Sequence, residues 1–275
     1  MSDIVLNPQG YPVGGWRIDL EDFGVLEKIG DEHRDWEDVV VGRYSAPDEL
    51  NRRWLRTENQ LQQGSCNGWS SEEAGEVCFN IATQGDRIEF SAQWNYIEAQ
   101  RNDGLIGRDC GSTLFGAAKA MRELGCLPEE FWPYTGKYVM ESPKGRSACL
   151  EAAAGYKIKT FVRLKSYQQI FNWLAGGLGS CWVGRTRDWN GGHATHLPGY
   201  TKQRDSKGRN YLDEHNQWGK TFGDNGWVTR SPDHVDSWFT DPNTVVLGCS
   251  DMTVLQPRPI DWSQTNPLFR RKGRT

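Results

Sequence analysis

No stretch of this chain approaches the roughly 18–20 consecutive apolar residues that cross a bilayer, so no spanning helix and no membrane partner is expected. The first residues, Met1 to Tyr11, have neither a basic cluster nor an apolar core, and so do not read as a secretory leader. CxxC, HExxH and HxH spacings are missing, and with them the usual sequence case for zinc; no metal and no cofactor is expected. Internal repeats and low-complexity runs are absent too, which excludes solenoids and repeat arrays. Charge of one sign is also lacking: 32 basic residues against 36 acidic ones leave a net −4, which argues against a nucleic-acid partner.

What is present begins with seven cysteines, Cys66, Cys78, Cys110, Cys126, Cys149, Cys181 and Cys249. An odd number at wide spacing fits mostly free thiols in a reducing compartment better than a disulfide framework. The 275 residues allow one large domain or two small lobes, and a chain of this size buries roughly 70–75% of its unfolded surface. Thirteen tryptophans suit aromatic packing around a cleft but name no ligand.

Residues 1–46 are polar and acidic and read as an N-terminal extension draped over the domain; residues 256–275 read as a loosely attached basic tail. Between them, residues 47–255 split into two halves. The first is helical: a helix follows Cys66, a second starts at the Ser91 cap, and a third runs over Ser112–Gly125, with Leu114, Ala117, Ala118, Met121 and Leu124 on one face. The second half is strand-rich, with Tyr156–Leu164, Cys181–Arg185, Ala194–Tyr200, Gly226–Arg230 and Thr244–Leu247 as strands and one helix over Ser166–Leu174. A helical half followed by a strand half predicts an α+β fold, two lobes with a cleft between them.

The chemistry gathers at three places. Asn59 to Cys66 is a polar turn that ends in a cysteine at the mouth of a helix, where free N–H groups and the dipole favour a thiolate. A buried structural cysteine is the competing reading. Among only five histidines, His193 follows Gly191-Gly192 and opens an apolar strand, which suits a residue facing a cleft. His196, three residues on, reads as a satisfied core or surface histidine, and His33 and His234, set among acidic residues, as solvated ones. The third place is Asn216-Gln217-Trp218-Gly219 before a glycine-rich loop; an Asn side chain there can hold an imidazole in one tautomer.

In this order, Gln60, Cys66, His193 and Asn216-x-Trp218-Gly219 resemble the papain-like cysteine peptidases over about residues 47–250. Gln60 precedes Cys66 by six positions, Gly64-Ser65-Cys66 resembles the Gly-Ser-Cys of that family, and His193-Ala194 through Gly199-Tyr200 keeps its spacing. Ser91–Tyr96, and the Gly125-Cys126-x-Pro128-Glu129 before Trp132-Pro133-Tyr134, are similar to bacterial and viral branches.

The resemblance implies a papain-like two-lobed fold, with a helical left lobe, an antiparallel sheet or barrel as right lobe and an active-site cleft between. It implies a Cys66–His193 ion pair oriented by Asn216, an oxyanion hole from Gln60 and the Cys66 N–H, and Trp218 as a shield. Gly111 and Ser112 fall where the family binds a substrate backbone. The implied partner is a peptide or protein substrate, in a cytoplasmic or virion-associated setting; an assembly partner is left unspecified.

Three departures stand out. Asn67 follows the nucleophile where the family has Trp, Gln63 replaces a disulfide cysteine, and the N-terminal extension is too short for the usual inhibitory propeptide, though it could still cover the cleft. An idle papain-like scaffold in a virion or bacterial assembly is the alternative reading.

Overall fold

The computed structural model describes residues 5–17 and 55–255. His33 and the tail 256–275 lie outside the described residues. Among the described residues, no helix is long and apolar enough to cross a membrane.

The helical half is built on α1 (Cys66–Ala82), α2 (Ala92–Asn102) and α3 (Leu114–Glu123). Side-chain caps start two of these. Ser91 Oγ accepts from Trp94 N at 3.1 Å and Thr113 Oγ1 from Gly116 N at 2.8 Å, each worth about 1 kcal/mol. The Thr113 cap begins α3 two residues later than the expected start, because Ser112 is held in extended pairing instead. The N-cap of α1, Ser65, makes no capping bond; its hydroxyl contacts Tyr134 Oη at 2.8 Å. The first turn of α1 is therefore left uncapped, at Cys66.

Residues Cys66 to Phe79 of α1 are all buried, so this helix is the spine between the lobes. It packs on α2 and α3 to one side and on β5 (Gly179–Arg185), β6 (His193–Arg204) and β9 (Val245–Ser250) to the other.

The second half is a six-stranded antiparallel sheet of order β4-β9-β5-β6-β7-β8, completed by β4 (Thr160–Leu164), β7 (Asn210–His215) and β8 (Trp227–Arg230). The expected single strand over 156–164 is two pieces. β3 (Tyr156–Lys157) pairs with β10 (Thr253–Val254), whereas β4 pairs with β9. Ser166 caps α5 (Tyr167–Ala175), as its position predicts.

Besides the two-residue strands and one 3-10 turn, three longer elements escaped the sequence reading: α4 (Arg146–Ala153), α6 (Pro232–Trp238) and β7. In α6 the signal is ordinary, a Ser231 cap followed by Pro232 at the first helical position. In β7 the sequence Asn210–His215 looks too charged for a buried strand. Asp213 and Glu214 are nevertheless buried, and Glu214 is matched by Arg185 and Arg230 from β5 and β8.

Candidate active site

Cys66 is the first residue of α1, wholly buried, and its Sγ receives the Ala194 N–H at 3.4 Å. His193 opens β6 beside it, its expected loop-to-strand position. Its Nε2 donates to Asn216 Oδ1 at 3.0 Å, which leaves Nδ1 without a partner. Trp218 stacks on the imidazole, with centroids 4.4 Å apart, and Trp189 meets its edge at 5.3 Å.

Gln60 is held next to these groups by backbone pairing of its own loop with the Asn216 loop. Gln60 N donates to Gln217 O at 2.8 Å, and Asn59 bridges Trp218. Its side-chain Nε2 spends one hydrogen on Gln63 O at 2.9 Å and keeps another. Gln60, Cys66, His193, Asn216 and Trp218 are thus brought together.

Asn67 also has a physical account. Its Nδ2 donates to Ser112 Oγ at 2.9 Å and to Thr113 O at 2.6 Å, which ties α1 to the Gly111–Thr113 wall. A tryptophan at this buried position would lose both bonds.

The cleft is filled by the chain's own N-terminal segment. A short hairpin of β1 (Val5–Leu6) and β2 (Pro12–Val13) leads Gly14–Arg17 across the site. Tyr11 stacks on Trp218 at 4.5 Å, and Val13 joins Trp189 and Trp218 in one cluster. Gly14 N donates to Gly192 O at 2.6 Å. Ser112 then exchanges two backbone bonds with the segment: Ser112 N to Gly15 O at 3.1 Å, and Arg17 N to Ser112 O at 2.9 Å.

Two glycines make this approach possible. A Cβ on Gly15 would stand 2.7 Å from Gly64 O and 2.9 Å from Cys66 Sγ; one on Gly111 would stand 2.5 Å from Gly15 O, at a φ of +84°. The sequence offered no signal for this threading beyond the shortness of the extension. It also gave no hint of Tyr11, Trp16 or Trp189 at the site.

Burial under the segment sets the protonation. It pushes the Cys66 thiol up to about 12, against the pull of backbone N–H groups from Ala194 and Asn67. It draws His193 down to about 3, against the Asn216 bond. Both shifts favour the neutral forms in the covered site, against the ion pair that the resemblance implies.

Behind His193, Arg185 is fully buried. It ion-pairs with Glu214 at 2.5 Å, donates to Thr195 Oγ1 at 3.0 Å, and lies over Trp238 at 4.2 Å. Burial would raise Glu214, but Arg185 and Arg230 outweigh it and hold the carboxylate at about 2. His234, expected to be a solvated surface group, is half-buried and bonds Asp188 at 3.0 Å.

No family model matches this chain, and no curated protein matches it. Solved structures do. Xylellain, a cysteine protease from Xylella fastidiosa, superposes with a TM-score of 0.61 over 89% of this chain and 97% of its own, at 17% identity. The fold is papain-like. The Ananas comosus bromelain protease in complex with the E64 inhibitor gives a TM-score of 0.55 over 73% of this chain and 96% of its own, also at 17% identity. The proform of Amb a 11, a ragweed pollen cysteine protease, gives 0.58 over 78% and 69%, at 18% identity. Within this papain-like frame, all seven cysteines are free and buried. Gln63 is buried too, and neither end of its side chain has a partner.

Proposed function

We propose that the protein is a cysteine-type peptidase whose N-terminal segment holds it closed. The observation that carries this reading is the backbone of Gly15–Arg17, which lies extended beside Cys66 and exchanges two bonds with Ser112. A cleft that takes an extended backbone next to a thiol, an imidazole and an amide has the parts for acyl transfer.

With the segment displaced, water reaches the site and the burial that keeps thiol and imidazole neutral is relieved. His193 then takes the Cys66 proton and Cys66 Sγ adds to a substrate carbonyl. The carbonyl oxygen, now negative, is received by the Cys66 N–H and the remaining Gln60 Nε2 hydrogen. His193 returns the proton to the leaving amine, a thioester remains on Cys66, and a water deprotonated by His193 hydrolyses it. Asn216 keeps the His193 tautomer, and Trp218 covers that bond. Gly111 and Ser112 hold the substrate backbone where residues 15–17 now lie.

The test uses an epoxide thiol inhibitor and a peptide library. The Trp16→Ala protein is expected to be labelled at Cys66 and at no other cysteine, and to cleave peptides, faster than the unmodified chain. Cys66→Ala should do neither. If the uncovered protein neither labels nor cleaves under reducing conditions, the peptidase reading fails and the idle scaffold takes its place.

A further inference from the structure

Glu73, His196 and His215 meet in the buried seam between α1 and the sheet. His196 and His215 are a directly opposed pair in the β6–β7 register, and Glu73 reaches them from two helical turns beyond Cys66. His196 and His215 are fully buried, and Glu73 is 1% exposed. Glu73 Oε2 stands 3.0 Å from His196 Nδ1, and Glu73 Oε1 stands 3.0 Å from His215 Nδ1.

At that distance each contact pairs an imidazole with the carboxylate, and, against burial that would raise it, both imidazoles help to hold Glu73 low, at about 2. Neither ring N–H points squarely at its oxygen, however, and His215 Nε2 has no hydrogen-bond partner at all. A buried ring nitrogen left without a partner is costly. One ligand atom from each of the three side chains lies within 4.8 Å of the others. A spacing of 3.0 Å also matches the edge of a coordination octahedron with bonds of about 2.1 Å.

The surroundings fit metal ligands. His196 Nε2 is hydrogen-bonded to Ser180 Oγ, the outer contact that fixes a ligating imidazole with its Nδ1 lone pair turned inward. The His215 ring is clamped flat against Trp227, with centroids 4.2 Å apart and planes 21° from parallel. We propose that Glu73, His196 and His215 bind one divalent cation of the zinc class, with two imidazole nitrogens and both carboxylate oxygens as donors. The spacing of 73, 196 and 215 has no local motif, which is why no sequence pattern marks it.

Such an ion would pin together the three elements that carry Cys66, His193 and Asn216, since Glu73 shares α1 with Cys66, His196 is three residues past His193, and His215 precedes Asn216. The binding does not depend on the peptidase reading, and the test has no catalytic readout.

The experiment uses the full chain carrying Cys66→Ala, which removes a thiol that could itself capture metal beside His193. Metal content is measured on the protein as isolated and after refolding with Co²⁺, together with the visible spectrum and the melting temperature. The expected result is about one equivalent of metal per chain, a cobalt spectrum without a thiolate charge-transfer band, and a melting temperature that drops when a chelator is present during refolding. Adding Glu73→Gln or His215→Gln should each abolish stoichiometric binding. Absence of stoichiometric metal in the parent protein both as isolated and after refolding would overturn the proposal. So would a thiolate band, or binding that survives both substitutions. The parent's own metal content decides the matter if the variants fail to fold.

Discussion

Trp218 lies flat on His193, with ring centroids 4.4 Å apart and planes 22° from parallel, and Tyr11 lies flat on Trp218 in turn, at 4.5 Å and 1°. One stack therefore couples the N-terminal hairpin to the imidazole of the site. Anything that moves the hairpin changes what covers His193.

Gly15→Val should loosen the cover. Its Cβ would fall 2.9 Å from Cys66 Sγ and 2.7 Å from Gly64 O, neither of which is the end of a flexible chain. The alkylation rate of Cys66 by iodoacetamide is expected to rise at least tenfold, with peptidase activity rising in parallel. An unchanged rate would mean that the segment does not govern access.

The thiol titration should move with it. In the covered protein burial holds Cys66 up at about 12 and His193 down at about 3, so neither is charged near pH 7. Uncovering lowers the thiol pKa and raises that of the imidazole, because each loses its desolvation. Ultraviolet absorbance of the thiolate, followed against pH, should show a Cys66 transition below pH 8 in Trp16→Ala and none there in the unmodified chain. Cys66→Ala identifies the signal.

Asn216→Ala removes the acceptor of His193 Nε2 and frees the other tautomer. Losing one such bond to a buried group costs about 1–3 kcal/mol, or roughly 5- to 150-fold in kcat/KM. Asn216→Gln, which keeps an amide, should recover less than the full rate, since its longer arm misplaces the oxygen. Equal kcat/KM in all three proteins would remove Asn216 from the mechanism.

Glu72 and Glu76 are neighbours one turn apart on α1, both buried. Burial raises Glu72 well above the ordinary carboxyl range, with Glu76 adding to the shift. A folded pKa above the unfolded one contributes stability that is fully present below about pH 4.3 and is lost as pH rises through the folded value. Glu72→Gln removes that loss. Urea melts should show the variant more stable at pH 8, on the order of 1–3 kcal/mol, and little changed at pH 4. A variant less stable at pH 8 would refute this.

Much of this was legible from the residues alone, for physical reasons. Ser91 and Ser166 announce helices because a hydroxyl before an apolar period caps a first turn, and both do so here. His193, placed by its Gly191-Gly192 lead-in at a loop-to-strand edge, opens β6 there. Cys66, His193 and Asn216 stood out in their local sequence and Gln60 only through the family resemblance; the folded chain sets Asn216 against His193 and the Ala194 N–H against Cys66.

What stayed hidden depends on contacts between distant segments. β7 was missed because Glu214 becomes tolerable in a strand only once Arg185 and Arg230 fold against it. His196 read as a satisfied core or surface histidine and is a core one, bonded to Ser180, but nothing near it in sequence foretells Glu73. The route of Gly14–Arg17 depends on a cleft that exists only after both lobes have formed.

Arg185 carries one more consequence. Dissolved ions damp the attraction between exposed charges over about 8–10 Å, and Arg56, 42% exposed and bridging Glu58, Glu89 and Glu129, lies within their reach. Arg185 and Glu214 do not, both being at 0%. The strand ends that present His193 and Asn216 are therefore insulated from ionic strength. In molar sodium chloride the Arg56 network should slacken while these strand ends keep their shape, a brine tolerance built into the strands that no count of surface charges would reveal.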